Sequence, residues 1–322
     1  MQCRITSYNI ENMRQLFRKN RFTDDTADRG NAAATTLGKI EPHIAGIVEA
    51  SDRGGDHEFF LQHPALQKLN LKVAQSTHRR GKQDLVMYYR DPFEVVSVDT
   101  HYAFYDPWIE DIDNDSIKEQ LSFERKPLEV LFRNRHTGKA LLVILVSFKS
   151  KGVFLTTDIH QYEHLALANR KKLYGQAKKV RERVDTLLEE NVETPVVIMG
   201  DLNDEPGFDH FEKLLGASAV ETITGNIYYP HRIFHNTLWH YMETGREKDL
   251  WTTEFPDRIV ANFSMHRAWL DHIFVSPGML LENSEFRYIS NSGAIAKKDA
   301  AATLASDHFP IYCDVEVPVP LP

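Results

Sequence analysis

Leu141-Leu142-Val143-Ile144-Leu145-Val146 is an unbroken run of apolar side chains that stops at Ser147-Phe148-Lys149. A strand with one wet face alternates apolar and polar residues, so a run without alternation predicts a strand covered on both faces, by helices or by a second sheet. Further runs of strand length lie at Cys3–Asn9, Ile44–Val48, Asp84–Tyr89, Val196–Met199, His272–Val275 and Ile311–Val317. Between them, Leu173, Ala177, Val180, Val184 and Leu187 recur at spacings of three and four, which predicts a helix from about Gln161 to Glu190. Lys171, Lys172 and Lys178 fall off that stripe and are expected on a solvated face. Strands interleaved with helices make the chain a layered α/β protein.

The chain has 322 residues, 42% hydrophobic and 26% charged, which is the balance of a folded globular protein and excludes disorder, collagen and coiled coil. Its net charge of −8 denies it any general attraction to polyanions, so contact with nucleic acid has to be local. No run approaches the ~18 apolar residues of a membrane span, and no secretory signal opens the chain. A cytoplasmic protein without membrane contact is the expectation, with Cys3 and Cys313 as buried free thiols. With no repeat, linker or composition break, residues 1–322 read as a single domain. Two stretches read as insertions at a sheet edge: acidic 102–127, and 216–270, rich in His, Tyr and Trp.

Polar residues cluster where the strands end. Asn9 and Glu11 follow the first, Glu49 the second, and Asp201 and Asn203 the run at Val196–Met199; Asp271 precedes another, and Ser306-Asp307-His308 the last. Strand ends are where layered α/β folds place their sites, although one such residue alone is ordinary turn chemistry. Basic clusters at His78-Arg79-Arg80-Gly81-Lys82, Lys149-Ser150-Lys151 and Arg170-Lys171-Lys172 could follow a phosphate backbone or be plain solvated surface. Arg170 also extends the helical stripe inward, where it needs an anionic partner.

Taken in order, Ser7-Tyr8-Asn9-Ile10-Glu11-Asn12, Ile47-Val48-Glu49, Asp84 to Arg90, Phe148 to Gly152, Gly200-Asp201-Leu202-Asn203-Asp204-Glu205-Pro206, Leu270-Asp271-His272-Ile273 and Ser306-Asp307-His308-Phe309-Pro310 resemble the endonuclease/exonuclease/phosphatase family. The resemblance implies a four-layer α/β sandwich, with two mixed sheets face to face and helices outside. It implies Mg²⁺ or Mn²⁺ held principally by Glu49, helped by Asn9 or Glu11 and by Asp307. Asp201 and Asn203 would direct the attacking water, and His308, paired with Asp271, would face the scissile phosphate. Lys149, Arg80 and Arg170 would contact phosphate, Arg170 being set against an ordinary ion pair. The pattern departs at Ser147, where family members often carry a His, and Asp84, which would orient that His, is left beside a hydroxyl.

The reaction so implied is metal-dependent phosphoester hydrolysis, with a phosphodiesterase or nuclease preferred because no amphipathic membrane-binding stretch is visible. A phosphomonoesterase acting on inositol-phosphate-like or other small substrates is one alternative, and a catalytically silent binding module is another, which Ser147 keeps open. From a different class, His160-Gln161-Tyr162-Glu163-His164 fits the His-x-x-Glu-His pattern of zinc peptidases, without a third ligand singled out downstream. The aromatics of the second insertion, among them Tyr228, Tyr229, Trp239, Tyr241 and Trp251, could stack bases or simply pack.

Overall fold

Alternate side chains of a strand point to opposite faces, and this separates the Leu141–Val146 run into two sets. Val143 and Leu145 join Ile5, Met87, Met199, Ile273 and Cys313 in a core between two sheets. Leu142, Ile144 and Val146 turn the other way and meet Leu173, Ala177, Val180, Val184 and Leu188 of the helix Ile159–Glu190. On the far side of the other sheet, Tyr8, Ile47, Val86 and Tyr88 are covered by Ala33, Ala34 and Leu37 of the helix Ala27–Ile40. The layers are therefore helix, sheet, sheet, helix, as expected for a four-layer sandwich. This computed structural model describes residues 1–78, 83–153, 156, 158–256, 265–297 and 300–318.

One sheet has seven strands, ordered Arg287–Tyr288, Ile311–Glu316, Gln2–Asn9, Ile44–Ala50, Asp84–Tyr89 and Lys72–Gln75, with Ala294–Ile295 also paired to Ile311–Glu316. The six strands of the other run His235–Asn236, Asp271–Val275, Val196–Asp201, Ala140–Ser147, Leu128–Asn134 and Phe93–Val98. Gly46 marks close approach of the sheets, because a Cβ there would lie 2.6 Å from both Leu145 and Met199. Among the described residues no helix is long and apolar enough to cross a membrane. Cys3 and Cys313 are buried and unbridged, as expected.

Pairing direction decides where the polar strand ends go. Gln2–Asn9 is parallel to Ile44–Ala50, and Ala140–Ser147 is parallel to Val196–Asp201. Asp84–Tyr89, Asp271–Val275 and Ile311–Glu316 run antiparallel to their neighbours. The first four strands thus end, and the last three begin, at one rim. Ser147, Asp201 and Asp271 are register partners there, and so are Ala50 and Asp84.

The two insertions are structured. Residues 102–127 form a short turn of helix, Tyr102–Tyr105, and a hairpin of Trp108–Glu110 with Glu119–Leu121. Lys171 pairs with Asp113, Asp115 and Glu119, and Lys178 with Glu110. The acidic stretch is therefore laid on the helix face expected to be solvated. Asp113, Asp115 and Glu119 converge on Lys171, while the Asp111 carboxylate accepts from the Asp115 and Ser116 backbone N–H groups of its own turn. Residues 216–270 contribute an edge strand, His235–Asn236, and core side chains Ile223, Phe234 and Leu238. Part of that stretch is thus integral to the sandwich. Tyr241 is buried, Tyr228 and Tyr229 are exposed, and Trp251 packs edge-on against Phe309 with Arg267 and Lys297 over its ring.

Candidate active site

Asp201 is delivered by a bend that only glycine permits. Gly200 has φ +140°, and a Cβ on it would fall 1.9 Å from the Val146 carbonyl oxygen. The bend brings Asp201 Oδ2 to 3.2 Å from Asn9 Nδ2, a hydrogen bond that joins the two sheets at the rim. The Asn203 backbone N–H donates to Asp201 Oδ1 at 2.9 Å, and the Asn203 side-chain amide donates to the Phe148 carbonyl at 3.1 Å. Burial pushes the Asp201 carboxyl up to about 7, against the pull of His308, with Asp271 adding to the rise.

His308 Nδ1 lies 2.7 Å from Asp271 Oδ2, with 1% of Asp271 and 8% of His308 exposed. Burial opposes charge on the ring, but the Asp271 carboxylate outweighs it and holds His308 up at about 10. Nδ1 is committed to Asp271, which leaves Nε2 as the second donor. The loop that carries His308 is pinned from both sides. Ser306 Oγ donates to the Asn9 carbonyl at 2.8 Å and accepts from the His308 and Glu11 backbone N–H groups, each at 3.2 Å. Thr253 Oγ1 donates to the Asp307 carbonyl at 2.9 Å, and Thr252 Oγ1 accepts from the Asp271 backbone N–H at 3.0 Å.

Glu49 sits at φ +56°, a left-handed conformation in an irregular stretch of its strand. Its Oε2 accepts from the Asn12 backbone N–H at 2.8 Å and from Gln83 Nε2 at 2.6 Å. No hydrogen bond reaches its Oε1 among the described residues. Burial and the charges of Asp307 and Glu49 raise the Glu11 carboxyl, while Arg29, 3.4 Å from its Oε2, acts against the rise. Asn9 Oδ1 is buried and has no partner. An orphaned amide oxygen in a site that also holds the carboxylates of Glu11, Glu49 and Asp307 is an all-oxygen donor set of the kind a hard cation takes, so the residues present fit Mg²⁺ or Mn²⁺.

Asp201, Asp271 and His308 hold one ligand atom each within 4.8 Å of one another. The 2.7 Å His308–Asp271 contact is a charge-assisted hydrogen bond in length, and this pair satisfies itself without an ion.

Several expected site residues are engaged elsewhere. Arg170 donates to Asp209 Oδ2 at 2.8 and 3.0 Å and to the Lys151 and Ala166 carbonyls, the ion-pair arrangement set against the phosphate-clamp role. Asp209 caps a helix beside the buried Asp204 and Glu212, and that concentration of carboxylates draws the guanidinium inward. Lys149 Nζ stands 3.3 Å from Glu124 of the first insertion, a half-exposed pair that leaves it near the rim. Ser147 is buried with no partner for its hydroxyl; Asp84 therefore does not bond it, and accepts instead from Gln75 at 3.3 Å. Arg80, with Arg79 and Lys82, lies outside the described residues. His160 and His164 are exposed at the helix start and belong to no metal-sized cluster among the described residues.

Gln83, Asn12 and Arg125 reach the site without having been expected there. Gln83 Nε2 bonds Asn12 Oδ1 at 2.7 Å as well as Glu49, and Arg125 Nη1 bonds Gln83 Oε1 at 2.5 Å. Asn12 closes the Ser7–Asn12 block, but Gln83, a neutral amide, and Arg125, inside an acidic stretch, carry no spacing signal that periodicity or motif order could have found.

Comparison with known proteins follows the same contour. The family model described as the endonuclease/exonuclease/phosphatase family matches residues 6–308. TDP2 from Caenorhabditis elegans superposes with a TM-score of 0.57 at 14% identity, over 98% of this chain and 74% of that one. TDP2 from D. rerio, complexed with a single-strand DNA product, gives 0.54 at 13%, over 98% and 99%. The human Nocturnin catalytic domain with a bound sulfate anion gives 0.53 at 13%, over 98% and 94%. A search of curated protein sequences returns no match.

Proposed function

Because the chain belongs to the endonuclease/exonuclease/phosphatase family, we propose that it is a divalent-metal-dependent phosphodiesterase in which water attacks phosphorus in line, with nucleic acid as the preferred substrate class. The observation that carries this reading is the Asn9–Asp201 hydrogen bond. It sets the metal-side residues of one sheet beside the water-side residues of the other.

Glu49, Asn9 and Asp307, with Glu11 at the margin, would hold Mg²⁺ or Mn²⁺. When bound, the cation polarises a phosphate oxygen and stabilises the departing alkoxide. Asp201 takes the proton of the attacking water, and a carboxyl raised to about 7 is a competent base near neutral pH. Asn203, whose backbone N–H fixes Asp201 Oδ1, keeps a second side-chain N–H and its oxygen for the water or the phosphate. His308, charged and held by Asp271, directs Nε2–H at the phosphoryl oxygens as charge develops. Ser147 cannot protonate a leaving group, so His308 and the cation carry that charge between them.

Two features favour a diester of nucleic acid over a lipid or a monoester. The D. rerio relative holds a single-strand DNA product in the same fold. Trp251 lies edge-on against Phe309, the residue after His308, with the Glu254-paired Arg267 over its ring, and offers an aromatic surface for stacking bases.

The test is Mn²⁺- and Mg²⁺-dependent hydrolysis of bis-p-nitrophenyl phosphate by the protein and by Glu49→Ala. The expected result is a loss of about a hundredfold or more in the variant. Equal rates would identify a silent binding module. Side-by-side cleavage of single-stranded DNA, duplex DNA, RNA and inositol phosphates then sets the substrate. Free phosphate from a monoester with intact nucleic acid would overturn the nuclease preference.

A further inference from the structure

We propose that Gln83 and Arg125 are positioning residues for the cation, acting in series through Glu49. The inference rests on the assignment of Glu49 as a metal ligand.

The amide of Gln83 is fully used and its orientation is fixed by its partners. One N–H goes to Glu49 Oε2 at 2.6 Å and the other to Asn12 Oδ1 at 2.7 Å, while the oxygen accepts from Arg125 Nη1 at 2.5 Å. A flipped amide would set its nitrogen against a guanidinium and its oxygen against a carboxylate, so only one placement is possible. With the Asn12 N–H at 2.8 Å, Gln83 occupies Oε2 of Glu49 and leaves Oε1 as the oxygen without a hydrogen bond among the described residues. Glu49 therefore presents one fixed oxygen to a cation instead of rotating between monodentate and bidentate states.

The same contacts counter strain. Glu49 and Asn12 both adopt left-handed backbone conformations, with φ of 56° and 50°. Strain of this kind persists only where surrounding contacts over-determine it. Gln83 ties the two strained residues together. Arg125 belongs to the insertion 102–127, so that segment reaches the cation site through one hydrogen-bonded chain of three side chains.

Residues that orient a metal ligand from behind typically cost ~10- to 100-fold in metal affinity when removed. The experiment is calorimetric titration of Mn²⁺ into the wild-type protein and into Gln83→Met, Arg125→Met, Arg125→Lys and the double methionine variant, each first shown to unfold at a similar temperature. Gln83→Met keeps the volume without the amide and is expected to raise the Mn²⁺ dissociation constant about tenfold or more. Arg125→Met should raise it less, and Arg125→Lys, which can still donate to Gln83 Oε1, should restore most of the loss. The double variant should match Gln83→Met, because links in series do not add. At saturating Mn²⁺, kcat on bis-p-nitrophenyl phosphate should return to within about threefold of wild type. An unchanged dissociation constant in Gln83→Met, or full additivity in the double variant, overturns the proposal. Glu49→Ala separates the two levels. If it binds Mn²⁺ like the wild type, the metal assignment itself is wrong; if it loses Mn²⁺ while Gln83→Met does not, only the positioning role fails.

Discussion

Replacing Asp271 with Asn tests whether the His308 pair does chemistry or only holds the loop. Asp271 Oδ2 accepts from His308 Nδ1 at 2.7 Å, and its second oxygen, Oδ1, is buried without a partner. An Asn that keeps its oxygen on Nδ1–H must put its NH2 where Oδ1 stands. The variant then exchanges a charge-assisted hydrogen bond for a neutral one, losing about 1 to 1.5 kcal/mol, and buries an unsatisfied donor at about 1 to 3 kcal/mol. The sum is a destabilisation of about 2 to 4.5 kcal/mol, read by urea unfolding with chelator present. The pH course has a definite sign. Because His308 is raised from 6.5 to about 10 in the fold, the pair's contribution is complete below pH 6.5 and is lost as pH rises through about 10. The stability gap between wild type and Asp271→Asn should therefore narrow across that window. Turnover at saturating Mn²⁺ should fall ~10²- to 10³-fold, since the imidazolium loses the anion that keeps it charged. A variant destabilised as stated but within threefold of wild-type kcat would refute the catalytic role and leave a structural one. A gap that widens with pH would refute the charge assignment.

Three further outcomes follow from the geometry. Gly200→Ala should cost ~3 kcal/mol or more in denaturant unfolding, because its Cβ would meet the Val146 carbonyl at 1.9 Å at a φ of +140°; a variant within 1 kcal/mol of wild type would show that the bend is not obligatory. Arg170→Ala should keep hydrolysis of bis-p-nitrophenyl phosphate within about threefold while lowering stability by about 1 to 3 kcal/mol through the abandoned Asp209; a hundredfold loss of kcat with unchanged stability would restore the phosphate-clamp role. The double variant His160→Ala, His164→Ala should leave hydrolysis and unfolding within experimental error, measured with and without added Zn²⁺, since both side chains are exposed; loss of a zinc-dependent activity would revive the peptidase reading.

What could be read in the sequence was what has a period or an order. The Leu141–Val146 run announced a strand with two covered faces, and the long helix was placed to within two residues of its start at Ile159. The strands Leu128–Asn134 and Phe93–Val98 and the helix Ala27–Ile40 went unannounced. Leu128–Asn134 carries Glu129 and Asn134 in buried positions, and these blur its apolar pattern; Glu129 is buried because Arg183 and Tyr105 bond it at 3.0 and 2.6 Å. The inward turn of Arg170 was legible from its place on the stripe, but its partner was not. Asp209 lies 39 residues away, and competition between a carboxylate and a future ligand is settled only in three dimensions.

The rim explains why an ordered list of isolated polar residues can specify a site at all. Strands of the two sheets that end at one rim bring their last residues together whatever the length of chain between them, so Asn9 and Asp201 meet across 192 positions. Folding then has to accept the consequences: a left-handed Glu49 and Asn203, an orphaned Asn9 oxygen, and an Asp201 carboxyl that burial drives upward. Each is unfavourable by itself. A cation held as proposed would offset the second by giving the Asn9 oxygen a partner. Gln83 and Asn12 hold the left-handed Glu49 in place through its Oε2. The rim thus gathers groups whose local costs are uncompensated singly, which is the arrangement the proposed metal-dependent centre would require.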